Sequence, residues 1–278
     1  MTLSVTVTRS LAFAFLVAVT AAAPVLAQPA KDYQPKVGQE GKDVVWVPTP
    51  QALVDRMMEM AKVTPQDYVI DLGSGDGRTV ITAAKLGAKA LGIEYNPDMV
   101  ELSKRNAAKE GMGEKAKFVK ADIFESDFSE ATVITMFLLP ELNLKLRPTL
   151  LDLKPGTRLV SNTFTMGEWQ DDETATLGGP TCTSWCTAHL WIVPAKAAGT
   201  WQSSQGELKL EQSFQMVSGT LKSGNVIAPI TNGKLAGDRI TFTAGGTQYT
   251  GKVGGDAIEG TSKTGASEAP WRATRAGK

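Results

Sequence analysis

Val69-Ile70-Asp71-Leu72-Gly73-Ser74-Gly75-Asp76-Gly77-Arg78 is the stretch that decides the fold. A short apolar strand carrying one carboxylate runs into three glycines at alternate positions, and residues 79–86 then read as a helix ending at Gly87. Strand, glycine loop and helix form the opening half of a βαβ unit. In such a unit the loop backbone can approach a ligand closely, and the helix presents unpaired N–H groups and a positive dipole end. The spacing Gly73-x-Gly75-x-Gly77 differs from the Gly-x-Gly-x-x-Gly dinucleotide fingerprint. Taken alone, such a loop would also suit a nicotinamide cofactor or a tight turn. Asp71 and Asp76 flank it, however, and two carboxylates repel a pyrophosphate and attract a cation.

Working outward, Leu53, Val54, Met57, Met58 and Met60 recur at helical spacing after Pro50. Downstream, apolar strands at 88–95, 116–120, 131–138 and 158–165 alternate with helices at 97–111 and 140–153, and residues 187–193 form a last strong strand. That alternation predicts parallel βαβ units, with buried strands apolar throughout, as in Val133-Ile134-Thr135-Met136. After Pro194 the helical periodicity ends. Gly-Asn and Gly-Asp pairs recur at 224–225, 237–238 and 255–256 between short runs, which is hairpin chemistry. The expected architecture is α/β, a Rossmann-like doubly wound, mostly parallel sheet, followed by a small antiparallel all-β domain of about six strands. The boundaries predicted are a signal peptide at 1–27, an arm at 28–43, the α/β domain at 44–196 and the β domain at 197–278.

Two further elements extend the loop. Glu94 ends a strand about 20 positions beyond it, where a carboxylate can accept from both hydroxyls of a ribose, with Tyr95 beside it. Asp122 follows the next strand, where it can accept from an exocyclic adenine amine while Ile123 packs on the ring. A ligand with an ammonium, a sulfonium, a carboxylate and an adenosine satisfies all these groups, and S-adenosyl-L-methionine is such a ligand. The cofactor-binding set is therefore Asp71, Gly73, Ser74, Gly75, Gly77, Glu94, Tyr95, Asp122 and Ile123.

Asp-Leu-Gly-Ser-Gly-Asp-Gly-Arg at 71–78, Gly92-Ile93-Glu94-Tyr95-Asn96-Pro97 and Ala121-Asp122 resemble the first three motifs of class I S-adenosylmethionine-dependent methyltransferases, over about residues 44–194. Val45-Trp46-Val47-Pro48-Thr49-Pro50 and Met136-Phe137-Leu138-Leu139-Pro140-Glu141-Leu142 are similar to segments of the small protein-lysine N-methyltransferase group. That group includes archaeal broad-specificity enzymes and mitochondrial ATP-synthase c-subunit enzymes. The resemblance implies methylation of a protein lysine, with Pro48 and Thr49 near the methyl end of the cofactor. Glu141 is then a candidate to accept the amine's proton. Without the resemblance, Thr49 before Pro50 is a helix cap. Residues 137–141 lack the Asn/Asp-Pro-Pro-Tyr signature of enzymes acting on planar nitrogens, which argues against DNA and glutamine targets. Two alternatives stay open: a methyltransferase-like binding module without turnover, and a methyltransferase acting on a small molecule or lipid.

Lys+Arg and Asp+Glu are both 29, so no net field draws the chain to nucleic acid or anionic lipid. Arg9 precedes an apolar run at 11–23, and small residues end at Ala27. That is a cleavable secretory signal, predicting a periplasmic or secreted protein without stable membrane insertion afterwards. In that compartment Cys182 and Cys186 can close a small disulfide loop. Two thiols and one histidine, His189, make a poor metal set, so no metal is expected. His189, alternating with Trp191, reads as structural, and none of the six tryptophans is assigned to a site.

Overall fold

The computed structural model describes residues 33–277 together with Met1, Thr2 and Ser4; the signal reading at 1–27 and the first part of the arm lie outside the described residues except at those three positions. Helix α1 (Gln51–Met60) leads into strand β1 (Tyr68–Leu72), then α2 (Arg78–Lys85), β2 (Lys89–Glu94), α3 (Pro97–Lys109), β3 (Ala116–Lys120), β4 (Val133–Met136), α4 (Pro140–Leu151) and β5 (Arg158–Asn162). Strands β6 (Glu173–Thr176) and β7 (Thr187–Ile192) complete a seven-stranded sheet of order β3-β2-β1-β4-β5-β7-β6. The first five strands are mutually parallel, and β7 runs antiparallel between β5 and β6. Strand order reverses at β1, which has β2 on one side and β4 on the other. The carboxyl ends of β1 and β4 therefore flank the crevice where open α/β sheets bind ligands.

Alternate residues of each central strand feed opposite faces, as a period of two requires. Val69, Val133 and Val160 join the core beneath α1, α2 and α3, with Leu53, Met57 and Val80. Ile70, Ile134 and Leu159 join the opposite core, with Leu146 and Leu150 of α4 and with Trp169 and Trp191. Both faces are covered, so β4 is buried at all four positions. Strand β6 gave no sequence signal because it is a four-residue edge with almost no buried side chain to set a pattern.

Eight strands follow: β8 (Gly199–Ser203), β9 (Gly206–Ser213), β10 (Met216–Ser223), β11 (Val226–Ala236), β12 (Arg239–Ala244), β13 (Thr247–Gly254), β14 (Ala257–Thr264) and β15 (Ser267–Arg275). They close into an antiparallel barrel in which β15 pairs with β8. This corrects the expectation of about six strands. The β8–β9 hairpin turns at Ser204-Gln205 and so carries no Gly-Asn or Gly-Asp mark, and closure depends on a pairing between chain-distant strands. The barrel is filled by side chains, among them Trp201, Leu208, Phe242, Tyr249 and Trp271. It leans on the sheet through Phe214, stacked on Trp169 at 5.8 Å, through Gln215 Nε2, which donates to the Gln170 carbonyl at 2.7 Å, and through Lys234, 3.0 Å from Asp172.

Arg158, at the start of β5, ties helix to sheet. It donates to the Ala61 carbonyl at 2.7 Å and pairs with the buried Asp67. Burial tends to raise the Asp67 carboxyl, but hydrogen bonds from Thr132 and Arg158 and from the Thr64 amide hold it below its ordinary value. Arg158→Ala is expected to cost roughly 2–3 kcal/mol, seen as a thermal midpoint lower by ~5–10 °C; an unchanged midpoint would contradict this role.

Candidate cofactor and acceptor cleft

The five residues after β1 form the loop read from sequence. Gly75 takes φ +54, and a Cβ there would lie 2.8 Å from the Trp46 indole nitrogen, so only glycine lets the segment ahead of α1 close onto the loop. Helix α3 fixes the loop from behind: Ser103 Oγ donates to the Gly75 carbonyl at 2.8 Å and Asn106 Nδ2 to the Asp76 carbonyl at 2.9 Å. Helix α3 is itself started by Asn96, which accepts from the Asp98 amide at 2.9 Å ahead of Pro97.

Around this loop lies a cleft of about 710 Å³, within the range of small-molecule sites. Its lining follows the order of the sheet. Asp122 and Ile123 come from the end of β3, Glu94 and Tyr95 from β2, and Asp71, Gly73, Ser74 and Gly75 from β1. Phe137 and Leu138 come from the end of β4, Phe164 from just beyond β5, and Trp185 from the segment before β7. Residues 39–49, the end of the arm and the segment that enters the α/β domain, including Pro48 and Thr49, also line the cleft.

Asp71 is buried, and Thr135 Oγ1 donates to it at 2.6 Å. Burial pushes its carboxyl up to about 7 against that hydrogen bond, and the nearby Glu94 and Asp76 carboxylates push the same way. Glu94 accepts from the Gly75 amide with one oxygen and from the Asn96 amide with the other, both at 2.9 Å. Asp122 accepts from the Phe124 amide at 2.9 Å and pairs with Lys42 of the arm. The hydrogen bond from Lys42 leads in holding the Asp122 carboxyl below its usual range. A carboxylate offers about four acceptor positions, so neither Glu94 nor Asp122 is saturated by these partners. Ser74 Oγ is buried with no hydrogen-bond partner among the described residues.

Thr49 is held twice. Its carbonyl accepts from Arg78 Nη1 at 2.9 Å, while Arg78 also pairs with Asp76 at 2.6 Å. Its hydroxyl accepts from the buried Asn162 Nδ2 at 3.2 Å. It does not cap α1, whose N-cap is Pro50 without a side-chain hydrogen bond. Two predicted residues lie outside the cleft lining. Gly77 is the N-cap of α2 at φ +83, and a Cβ on it would meet the Phe118 ring at 2.8 Å, so its place is in packing the loop. Glu141 is exposed on the first turn of α4. That helix turns Asn143, Leu146 and Leu150 inward, and a residue two positions before Asn143 points away from them.

Sequence reasoning gave no role to Trp46, Lys42, Asn162, Phe164 or Trp185. Trp185 had one usable signal, its place inside the Cys182–Cys186 loop, which the structure closes as a disulfide. Lys42 and Asn162 had none, because their partners lie 80 and 113 residues away. Among the described residues no cluster of His, Cys, Asp or Glu is arranged to hold a metal.

Residues 71–173 match the family described as ANTKMT methyltransferase domain, and residues 30–105 match one described as DNA methylase. A protein-lysine N-methyltransferase of Saccharolobus islandicus (strain REY15A) is 49% identical over 133 residues, covering 47% of this chain and 83% of that enzyme. This chain belongs to that family of class I methyltransferases. The methyltransferase is also 33% identical over 130 residues to the ATP synthase c-subunit lysine N-methyltransferase of Rattus norvegicus, spanning 46% of this chain and 60% of that enzyme. A solved structure of an RNA methyltransferase from Salinibacter ruber, in complex with S-adenosyl-L-homocysteine, is 47% identical. It aligns with a TM-score of 0.51 over 54% of this chain and 95% of that one. The DNA methylase match ends at residue 105, before the segment 137–141 in which the Asn/Asp-Pro-Pro-Tyr signature would stand.

S-adenosylmethionine is the cofactor of this methyltransferase. The donor set suits it: a buried carboxylate whose charged form a cation would favour, a second at the next strand end, and a third beyond that. The Asp71 carboxyl rises from 3.8 to about 7 on folding, so its favourable contribution to stability is complete below about pH 3.8 and is lost as pH rises through 7. Asp71→Asn is therefore expected to make the cofactor-free protein more stable at pH 8 and to weaken cofactor binding by about 10- to 100-fold. Thermal denaturation and calorimetry read the two effects; a variant that loses stability at pH 8, or keeps full affinity, would contradict the assignment.

Proposed function

We propose that this methyltransferase transfers the methyl group of S-adenosylmethionine to the ε-amine of a protein lysine. The observation that carries the reading is the division of the cleft. Carboxylates occupy its β3-β2-β1 half, and an apolar half with the doubly anchored Thr49 lies beyond, at β4 and β5. The 49% identity to a protein-lysine N-methyltransferase supports lysine as the acceptor. In this reading Asp71, Gly73, Ser74 and Gly75 hold the methionine end, Glu94 and Tyr95 the ribose, and Asp122 and Ile123 the adenine.

The cofactor supplies a methyl group on a sulfonium, whose carbon–sulfur electron pair stays with sulfur when the amine lone pair forms the new carbon–nitrogen bond. The chain's part is alignment and desolvation. Thr49 Oγ has two acceptor positions and Asn162 uses one, which leaves the other for an amine N–H and so turns the lone pair toward the methyl end. An ammonium entering an apolar passage loses hydration, which lowers its pKa and sends its proton to bulk water. With Glu141 exposed, this route needs no dedicated side-chain base. We also propose that the protein works outside the cytosol, a reading supported by the signal pattern at 1–27 and by the Cys182–Cys186 disulfide.

The test incubates the protein with methyl-labelled cofactor and an extract containing protein, RNA and lipid fractions, then maps the label by mass spectrometry. Label on lysine Nε is expected, and Thr49→Val should lower kcat by about 10- to 100-fold with cofactor affinity kept. Label confined to RNA, lipid or small molecules would overturn the lysine assignment.

A further inference from the structure

Three aromatic rings meet at the acceptor end of the cleft. Phe137 and Phe164 lie with centroids 6.1 Å apart, and Trp185 sits 5.8 Å from the first and 5.7 Å from the second. All three line the same cavity as Asp71 and Thr49, but they belong to the β4, β5 and β7 side, beyond the glycine loop. Each ring is brought there by a separate device. Phe137 follows β4 directly. Phe164 is set by its own carbonyl, which accepts from Ser161 Oγ at 2.7 Å and from the buried Asn143 Nδ2 at 3.2 Å. Trp185 lies inside the loop closed by the Cys182–Cys186 disulfide and takes φ +57, a backbone conformation that non-glycine residues rarely adopt.

Trp185 is also 42% exposed, the outermost of the three rings, so it stands where the cavity opens to solvent. A large aromatic side chain left half in water at a cavity mouth, in an unfavourable backbone conformation and inside a covalently closed loop, is more than core packing asks for. The cofactor-binding half of the cleft has no use for it, since Asp122, Glu94 and Asp71 account for adenosine and methionine on the other side of the loop.

We propose that Phe137, Phe164 and Trp185 form the binding wall for the acceptor side chain, and that the Cys182–Cys186 disulfide is the positioning element that keeps Trp185 in that wall. The inference rests on the lysine reading above. The aliphatic stem of a lysine packs along the rings, and its head, charged on arrival or after methylation, is attracted to their faces. A wall of π-faces tolerates the bulkier methylated ammonium groups as well as the bare one, because it makes no directional hydrogen bond to the N–H that each transfer removes. Disulfide reduction frees the 182–186 loop and removes one side of the wall without touching the carboxylate half.

The full chain is assayed with a lysine-containing peptide that the wild type methylates, alongside calorimetry of S-adenosylmethionine binding. Trp185→Ala is expected to raise KM for the peptide at least tenfold with cofactor affinity within twofold of wild type, and Trp185→Phe to recover most of the loss. The double variant Cys182→Ser/Cys186→Ser, and the reduced wild type, should move KM in the same direction. A KM for Trp185→Ala equal to wild type would overturn the wall, as would a matching loss of cofactor affinity. A KM unmoved by reduction and by the double serine variant would overturn the positioning role of the disulfide. Wild-type protein that binds cofactor but methylates no lysine peptide would overturn the lysine reading itself, a different outcome from an active wild type with an equally active Trp185→Ala.

Discussion

The structure turns on one carboxylate that folding leaves without a cation. Asp71 is the penultimate residue of a central strand at the point where the strand order reverses, buried beside Glu94 and Asp76, with Thr135 as its one donor among the described residues. Arg78, at the start of α2 just after the loop, is committed to Asp76 and to the Thr49 carbonyl. A group so placed lowers the stability of the ligand-free fold at neutral pH. In the proposed binding mode a positively charged ligand in the cleft offsets that cost, and part of the binding energy is then stored in the sequence position of a single Asp.

From that point the site extends by topology. Each strand of the parallel sheet ends at the same edge, so a ligand lying across the edge meets residues in the order of the strands and not of the chain. Moving from β3 to β1 it meets Asp122, Glu94 and Asp71; moving on to β4 and β5 it meets Phe137 and Phe164. Charge gives way to apolar surface at the glycine loop, which is where a methyl group carried on a cation would pass to a desolvated nucleophile. The segment 39–49 closes over the cleft with Trp46 against Gly75 and Lys42 on Asp122, and Arg78 and Asn162 couple its position to α2 and β5.

The carboxylate end of the cleft was legible in the sequence because each residue that lines it sits at a fixed place in a local motif: a strand end, a glycine loop, the next strand end. Buried parallel strands announced themselves by runs of mostly apolar residues, as at Val133-Ile134-Thr135-Met136. The aromatic end of the cleft was not legible, because Phe164, Trp185 and Asn162 come from segments whose proximity depends on β5 and β7 pairing antiparallel. Glu141 was a candidate because its segment resembles one in the lysine-methyltransferase group, and its place on the first turn of α4 aims it at solvent. The barrel was undercounted for a related reason: local turn chemistry identifies hairpins, while the pairing of β15 with β8 is a contact between the first and last strands of that domain.

The central claim, that a neutral Asp71 becomes charged when a cation arrives, is tested most directly by counting protons. Calorimetric titration of S-adenosylmethionine at pH 6, in two buffers of different ionisation enthalpy, gives the number released per binding event. The cofactor's own amine is already charged at that pH, its ordinary pKa being about 7.7–8.0, so the proton must come from the protein. The account predicts release of close to one proton by the wild type and almost none by Asp71→Asn. Binding without proton release by the wild type, or equal release by the variant, would contradict it.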